Sequence, residues 1–127
     1  MAAQRKRILI IDEHGFSRIC SALLDNAGYG AEIARAVEDL RAGLNTNEYG
    51  LVVTSYPYGA SLLPEIKKSN LPTIILSDNI DGKLIDILDD FADSYCMIKP
   101  LDYEKFKSLV QQVMSGEHEI QEGYNLV

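Results

Sequence analysis

The sequence contains little cysteine, no long apolar run and few clustered basic residues. Its two cysteines, Cys20 and Cys96, are too few for a disulfide framework and lie in apolar patterns, so we expect reduced core residues in a cytoplasmic protein. No apolar run approaches the roughly 20 residues that a membrane-spanning helix needs. The formal net charge of -7 argues against a nucleic-acid-binding surface, because phosphate contacts require clustered lysine and arginine. We therefore expect neither nucleic acid nor a membrane as a partner.

Glycine is also scarce at the turn where a dinucleotide or flavin site would need it. The first predicted strand is followed by a single glycine, Gly15, and by no glycine-rich segment that could cradle phosphates. We therefore expect no nucleotide or flavin cofactor.

What the chain does contain is a regular alternation of predicted strands and helices. Short apolar runs, several of them β-branched, predict five strands, near residues 8–11, 30–34, 51–55, 73–77 and 95–98. Apolar residues at helical spacing predict a helix after each strand, and Asp102 is a suitable N-cap for the last one. Five such units without a second core predict a single doubly wound α/β domain over residues 1–115. Residues 116–127 are polar and acidic with little periodicity, so we expect a C-terminal tail or linker.

Polar side chains stand where the predicted strands end. They are Asp12 and Glu13 after the first strand, Thr54 and Ser55 in the third, Ser77 in the fourth, and Lys99 after the fifth. Because the carboxyl ends of parallel strands meet at one edge of a sheet, we expect these side chains to lie together. Acidic side chains can hold Mg²⁺, and the metal and a lysine can neutralise phosphoryl oxygens while a hydroxyl binds one of them. The set therefore suits a divalent cation and a phosphoryl group.

In this arrangement the chain resembles the receiver domain of bacterial two-component response regulators. The resemblance covers about residues 7–115 and rests on Asp12-Glu13, Ser77 and Lys99-Pro100, with flanking helices in matching order. It implies a flavodoxin-like three-layer α/β fold, with a five-stranded parallel sheet of order 2-1-3-4-5 and five helices. It also implies a role in two-component or phosphorelay signal transduction.

By the same resemblance, Ser55 occupies the position of the family's phosphate-accepting aspartate. The aspartate attacks phosphorus and gives the metal a further acidic oxygen, whereas serine is a poor nucleophile without an adjacent base and a weak Mg²⁺ ligand. We therefore expect Asp12 and Glu13 to bind Mg²⁺ weakly if at all, and no other cofactor. Lys99 is then expected to pair with Asp12.

The residues that would transmit a phosphorylation signal are altered as well. Cys96 stands three residues before the lysine, where the family often has a tyrosine or phenylalanine that moves on phosphorylation. Tyr95 is adjacent, but a shift of one residue places a strand side chain on the opposite face. The Ser77 hydroxyl could equally well form a hydrogen bond to nearby backbone instead of binding a phosphoryl oxygen.

These departures favour a receiver-like domain that is not an enzyme and that recognises other proteins without being phosphorylated. The resemblance implies a sensor kinase or an output protein as partner, bound through the fourth helix, the fifth strand and the fifth helix, and the same face allows a homodimer. The acids expected to be exposed on this face would prefer a basic partner; they are Asp86, Asp89, Asp90 and Asp93.

Two alternatives remain open from the sequence. One is a phosphoryl-accepting receiver that uses Ser55 or Thr54 as an unconventional acceptor together with Mg²⁺. The other is a small-ligand-binding domain of the same fold that uses the cleft at the strand ends.

Overall fold

The computed structural model describes residues 7–34, 37–44, 48–89, 91, 94–99, 102–115 and 124–126. Six strands form one parallel sheet in the order β2-β1-β3-β4-β5-β6. They are β1 Arg7–Ile11, β2 Ala31–Ile33, β3 Tyr49–Tyr56, β4 Thr73–Ser77, β5 Ser94–Ile98 and β6 Tyr124–Leu126. The predicted order 2-1-3-4-5 is confirmed for the first five strands.

The sixth strand is a departure from the five-stranded sheet that the sequence predicts. Tyr124–Leu126 lie within the segment expected to be a tail or linker, yet they pair in parallel with β5 at residues 94–96. The rest of that segment, residues 116–123 and 127, lies outside the described residues. A strand of three residues is too short for its alternation of apolar and polar residues to give a clear signal in a sequence, and its pairing depends on the edge that β5 offers.

Five α-helices connect the strands and cover both faces of the sheet. They are α1 His14–Asn26, α2 Val37–Leu44, α3 Leu63–Lys68, α4 Gly82–Asp89 and α5 Tyr103–Ser115. The predicted cap of the last helix is confirmed, because the Asp102 carboxylate accepts hydrogen bonds from the backbone N–H groups of Glu104 and Lys105 at 3.1 and 3.2 Å. Asp81 caps α4 in the same way, through the N–H of Leu84 at 2.8 Å. Among the described helices, none is long and apolar enough to cross a membrane.

Two apolar layers form the core, one on each face of the sheet. Alternate strand residues such as Ile8, Ile10 and Val53 pack against α1 and α5, and their neighbours pack against α2, α3 and α4. This division follows from the two-residue period of a strand buried on both faces. The pairing of β1 with β3 shifts by one residue at Arg7/Ile8, and the extra residue on β3 turns Tyr49 toward the α2 side.

The two cysteines occupy opposite layers, as free buried thiols. Burial raises the pKa of Cys20 to about 12, with a further contribution from the negative charge of Asp12. Burial also raises the pKa of Cys96 above its usual value. Both side chains are therefore protonated core residues, in agreement with the sequence-based expectation.

The register of the sheet brings the strand ends together. Ile11 of β1 pairs with Thr54 of β3, Tyr56 of β3 pairs with Ser77 of β4, and Ser77 pairs with Ile98 of β5. The residues that follow β1 and β5 therefore lie at the same edge as the end of β3. The polar residues singled out in the sequence stand at this edge.

Candidate functional site

Asp12 lies at the centre of the polar residues at the strand ends. It follows β1 directly, and its side chain is 0% exposed. One carboxylate oxygen, Oδ1, accepts hydrogen bonds from the Ser55 hydroxyl at 2.7 Å and from the backbone N–H of Glu13 at 2.7 Å. A buried carboxylate is costly unless it is paired and hydrogen-bonded, and Asp12 meets both conditions.

Lys99 supplies the opposite charge. Its Nζ lies 3.4 Å from Oδ2 of Asp12, so the predicted pairing of these two residues is present. The same ammonium lies 4.4 Å from the centroid of the Phe16 ring, a cation–π contact that holds it over the first turn of α1. The Lys99 side chain is 21% exposed, so water can reach its charge while Asp12 stays buried. We refer to Asp12, Ser55 and Lys99 as the strand-end cluster.

Two further residues support the cluster and were missed in the sequence. Ser17 is fully buried, and its hydroxyl donates to the backbone carbonyl of Asp12 at 2.9 Å. Phe16 provides the ring beneath the lysine. Phe16 has the spacing of an apolar residue on the core face of a helix, and a serine in a first helical turn commonly bonds to nearby backbone, so neither role has a distinct sequence signal.

Glu13, the second predicted metal ligand, does not join the cluster. Its side chain is exposed, and it stands at the N-terminus of α1, where its backbone carbonyl accepts the N–H of Ser17 at 2.8 Å. Within the described ranges, no three His, Cys, Asp or Glu side chains are grouped so that they could hold a metal ion. A Mg²⁺ ion on Asp12 would compete with Lys99 for Oδ2 and would find no second carboxylate in the cluster, so the residues present do not fit a ready-made magnesium site.

The remaining predicted hydroxyl groups point away from the cluster. Ser77 is buried and donates to the backbone carbonyl of Asn79, in the loop before α4. Thr54 is fully buried, its neighbours Val53 and Ser55 lie on the other face of the strand, and its hydroxyl has no hydrogen-bond partner among the described residues. Of the three hydroxyl residues singled out in the sequence, Ser55 alone contacts Asp12.

The turn after β3 packs tightly on that strand. The N–H of Gly59 donates to the backbone carbonyl of Ser55 at 2.8 Å. A Cβ atom at position 59 would lie 2.3 Å from the Thr54 hydroxyl oxygen and 2.9 Å from the Ser55 carbonyl oxygen. Only glycine therefore allows the backbone this close to the strand end.

The two candidate switch positions lie on opposite faces of β5. Cys96 packs in the apolar layer beside Leu84, Leu88 and Phe91, whereas Tyr95 packs in the layer of α1 and α5. The prediction that Tyr95 lies on the opposite face from Cys96 is confirmed. The side of β5 that faces α4 thus carries a small thiol at position 96.

A second polar cluster lies away from the strand-end cluster and was missed in the sequence. The Tyr49 hydroxyl donates to the Glu32 carboxylate, which also accepts Arg7 at 3.1 Å. Burial and the bond to Glu32 raise the pKa of Tyr49 to about 12. A cavity of about 300 Å³ adjoins this cluster and is lined in part by Leu9, Glu32 and Tyr49; none of the predicted site residues lines it.

Comparison with known proteins shows which solved structures share this fold. No protein-family model matches the chain, and no curated protein matches it significantly. Among solved structures, a two-component response regulator from Clostridium difficile superposes with a TM-score of 0.75 at 21% identity, covering 90% of this chain and 99% of the other. The chain has the fold of response regulator receiver domains.

Two other solved structures support the same conclusion. A CheY-like receiver domain protein from Methanospirillum hungatei superposes with a TM-score of 0.74 at 20% identity, covering 90% of this chain and 97% of the other. TrrA from Thermotoga maritima, solved in complex with Mg(2+)-BeF, gives 0.69 at 21% identity and coverage of 85% and 98%. At these identities the similarity establishes the receiver fold and leaves the chemistry of the site to be argued from this chain's own residues.

Proposed function

We propose that this chain is a receiver-like domain of two-component signal transduction that recognises protein partners without phosphorylation at the β3 position. It would act in the cytoplasm as an interaction module and not as an enzyme. The observation that carries the proposal is the state of Asp12. Both of its carboxylate oxygens are engaged within the protein, by Ser55 and Glu13 on one side and by Lys99 on the other.

The chemistry of phosphoryl acceptance argues in the same direction. An acceptor must reach phosphorus, and Ser55 is buried with its hydroxyl proton directed at Asp12. The positive charge that a phosphoryl group would need is already neutralised, because Lys99 faces the same carboxylate. In this state the two opposite charges of the strand-end cluster are paired with each other.

The proposed partner surface consists of α4, β5 and α5. On α4, Asp86 and Asp89 are exposed, which supports a preference for a basic partner. The two other acids predicted for this face, Asp90 and Asp93, lie outside the described residues. A sensor kinase or an output protein is the partner class that the receiver fold suggests, and a homodimer through the same face is a further possibility that sedimentation can measure.

A second candidate function has a specific observation in its favour. The Ser55 hydroxyl donates to a carboxylate at 2.7 Å, which is the contact that a serine nucleophile makes with a general base. Under this alternative Ser55 would accept a phosphoryl group in a Mg²⁺-dependent reaction. The pairing of Asp12 with Lys99 weakens the case, because the same carboxylate already balances the charge of the lysine.

One experiment separates the two proposals. The full chain is incubated with acetyl phosphate and Mg²⁺, and its intact mass is measured beside that of Ser55→Ala. Our leading proposal predicts no mass gain for either protein and no Mg²⁺-dependent or BeF₃⁻-dependent NMR shifts at Asp12, Glu13 or Lys99. A gain of one phosphate that is lost in Ser55→Ala would establish the second proposal instead.

Small-ligand binding is the third possibility that the sequence left open. It would place a ligand at the strand ends, where the structure has the strand-end cluster. A ligand specific for the folded state raises the melting temperature in a concentration-dependent way. Thermal shifts measured against a metabolite library would support this function only if substitution at Ser55 or Lys99 abolished the shift.

A further inference from the structure

The C-terminal strand β6 lies beyond the five strands of order 2-1-3-4-5 that match the receiver fold. It pairs in parallel with residues 94–96 of β5. We therefore looked for a role of β6 in the position that it occupies in the sheet.

That position indicates a role. In the order β1-β3-β4-β5, the backbone edge of β5 that faces away from β4 would be the sheet's outer edge, and β6 pairs there. An uncovered strand edge presents unpaired N–H and C=O groups that another extended segment can bind. The same β5 edge belongs to the face through which we propose that partners dock, so this inference rests in part on the proposed function.

Among the residues that the structure describes, β6 pairs with only part of β5. The described pairing joins β6 to residues 94–96, while β5 continues to Ile98, which is 41% exposed. Tyr103, at the start of α5, is also an exposed large apolar residue. A longer extended segment could therefore make more backbone bonds than β6 and also cover Ile98.

The attachment of β6 is also slight in extent. Among the described elements, β5 is the one against which β6 makes its main backbone contacts. An element held chiefly by one short pairing opens at a lower free energy than the core strands.

We propose that the outer edge of β5 is an acceptor site for an extended, parallel polypeptide segment, and that the free protein fills it with its own β6. The partner is a protein that offers such a segment with an apolar residue opposite Ile98 and basic residues toward the acidic α4. Docking replaces β6, so the C-terminal strand competes with the partner for the same backbone groups.

Paired proline variants of the full chain test this proposal. Consecutive N–H groups of a strand point to opposite sides, so one of Asn125→Pro and Leu126→Pro removes a donor to β5 and the other removes a donor that faces outward. The probe is a labelled synthetic peptide of residues 120–127, titrated against the wild type and both variants. The same peptide with proline in place of Asn125 and Leu126 is the control.

The expected result is that one variant binds the probe about tenfold or more tightly than the wild type, because an edge that is mostly occupied reduces apparent affinity by its free fraction. The other variant should resemble the wild type. Hydrogen exchange should show faster exchange of outward β5 amides in the tighter-binding variant alone, with addition of the probe restoring protection.

Three outcomes would overturn the proposal. The first two are equal probe affinity for all three proteins and no binding by any of them. The third is global unfolding of the proline variant that loses a donor to β5, because this would show that β6 is part of the cooperative core. None of these depends on phosphate chemistry. If Ser55 proved to be phosphorylated, the proposed function would fail while the peptide measurement could still succeed.

Discussion

Replacing Lys99 with methionine should destabilise the protein by leaving a buried negative charge without its partner. Methionine keeps most of the lysine's hydrocarbon length, so the change removes charge with little loss of packing. Asp12 would retain the Ser55 hydroxyl and the Glu13 N–H, but its side chain is 0% exposed and cannot recruit bulk water without rearrangement.

The magnitude follows from the geometry. At the observed 3.4 Å, two unit charges attract by about 5 kcal/mol if the effective dielectric constant is about 20. Part of this attraction is offset because lysine is itself desolvated, and its side chain is only 21% exposed. Loss of the contact with Phe16 adds a smaller amount. We expect Lys99→Met to lower the free energy of unfolding by about 2–3 kcal/mol.

Urea unfolding followed by far-UV circular dichroism measures this change, since the chain has no tryptophan to report by fluorescence. The matched variant is Asp12→Asn, alone and combined with Lys99→Met. Because the double variant has no unpaired buried charge, it should be more stable than the sum of the single effects predicts, by at least about 1 kcal/mol. Strict additivity, or a loss below about 0.5 kcal/mol for Lys99→Met, would refute the argument that Lys99 neutralises Asp12.

Three other substitutions, with Gly82→Ala as a matched control for the third, test separate parts of the structure. Ser55→Asp should be less stable than the wild type in EDTA, because it buries a second carboxylate beside Asp12. Mg²⁺ should restore its stability and permit labelling by acetyl phosphate. If the variant stays unlabelled, the chain lacks more of the phosphorylation site than an aspartate at position 55. Tyr49→Phe should cost about 1 kcal/mol at pH 7. Between pH 10 and about 12, the wild type should lose stability that this variant does not, because the unfolded tyrosine ionises while the folded one stays protonated; parallel pH profiles would contradict this. Gly59→Ala should cost about 1–3 kcal/mol in urea unfolding because its Cβ meets the Thr54 hydroxyl, whereas Gly82→Ala, with no atom within 4 Å of its Cβ, should be neutral or stabilising.

The order of the sheet could be predicted because the determining signals are local. Residues 8–11 and 73–77 are apolar runs of the length of buried strands, and helical spacing follows each of them. Right-handed crossovers between parallel strands then restrict the topology to few choices. The start of β3 at Tyr49 could not be placed in this way, because the shift in its pairing with β1 interrupts the alternation.

The sequence predicted which residues belong to the candidate site better than it predicted the hydrogen bonds between them. The sequence placed Asp12, Ser55 and Lys99 at one edge of the sheet, and the structure joins these three. It gave no means of deciding that Ser77 turns to Asn79, since that choice depends on the path of the loop before α4. Side-chain hydrogen bonds of this kind are set by distances of a few tenths of an ångström, which only the folded backbone defines.

By itself, the sequence determined the parallel α/β layers, the residues of the core and the absence of an acidic side chain at position 55. These follow from residue type and spacing, which act over one strand or one helical turn. The tertiary structure alone decided that Asp12 is closed off by Ser55 and Lys99, positions separated by more than forty residues along the chain. It also decided that Tyr124–Leu126 cover the edge of β5. Both outcomes depend on groups that are far apart in the sequence and become neighbours only when the chain folds.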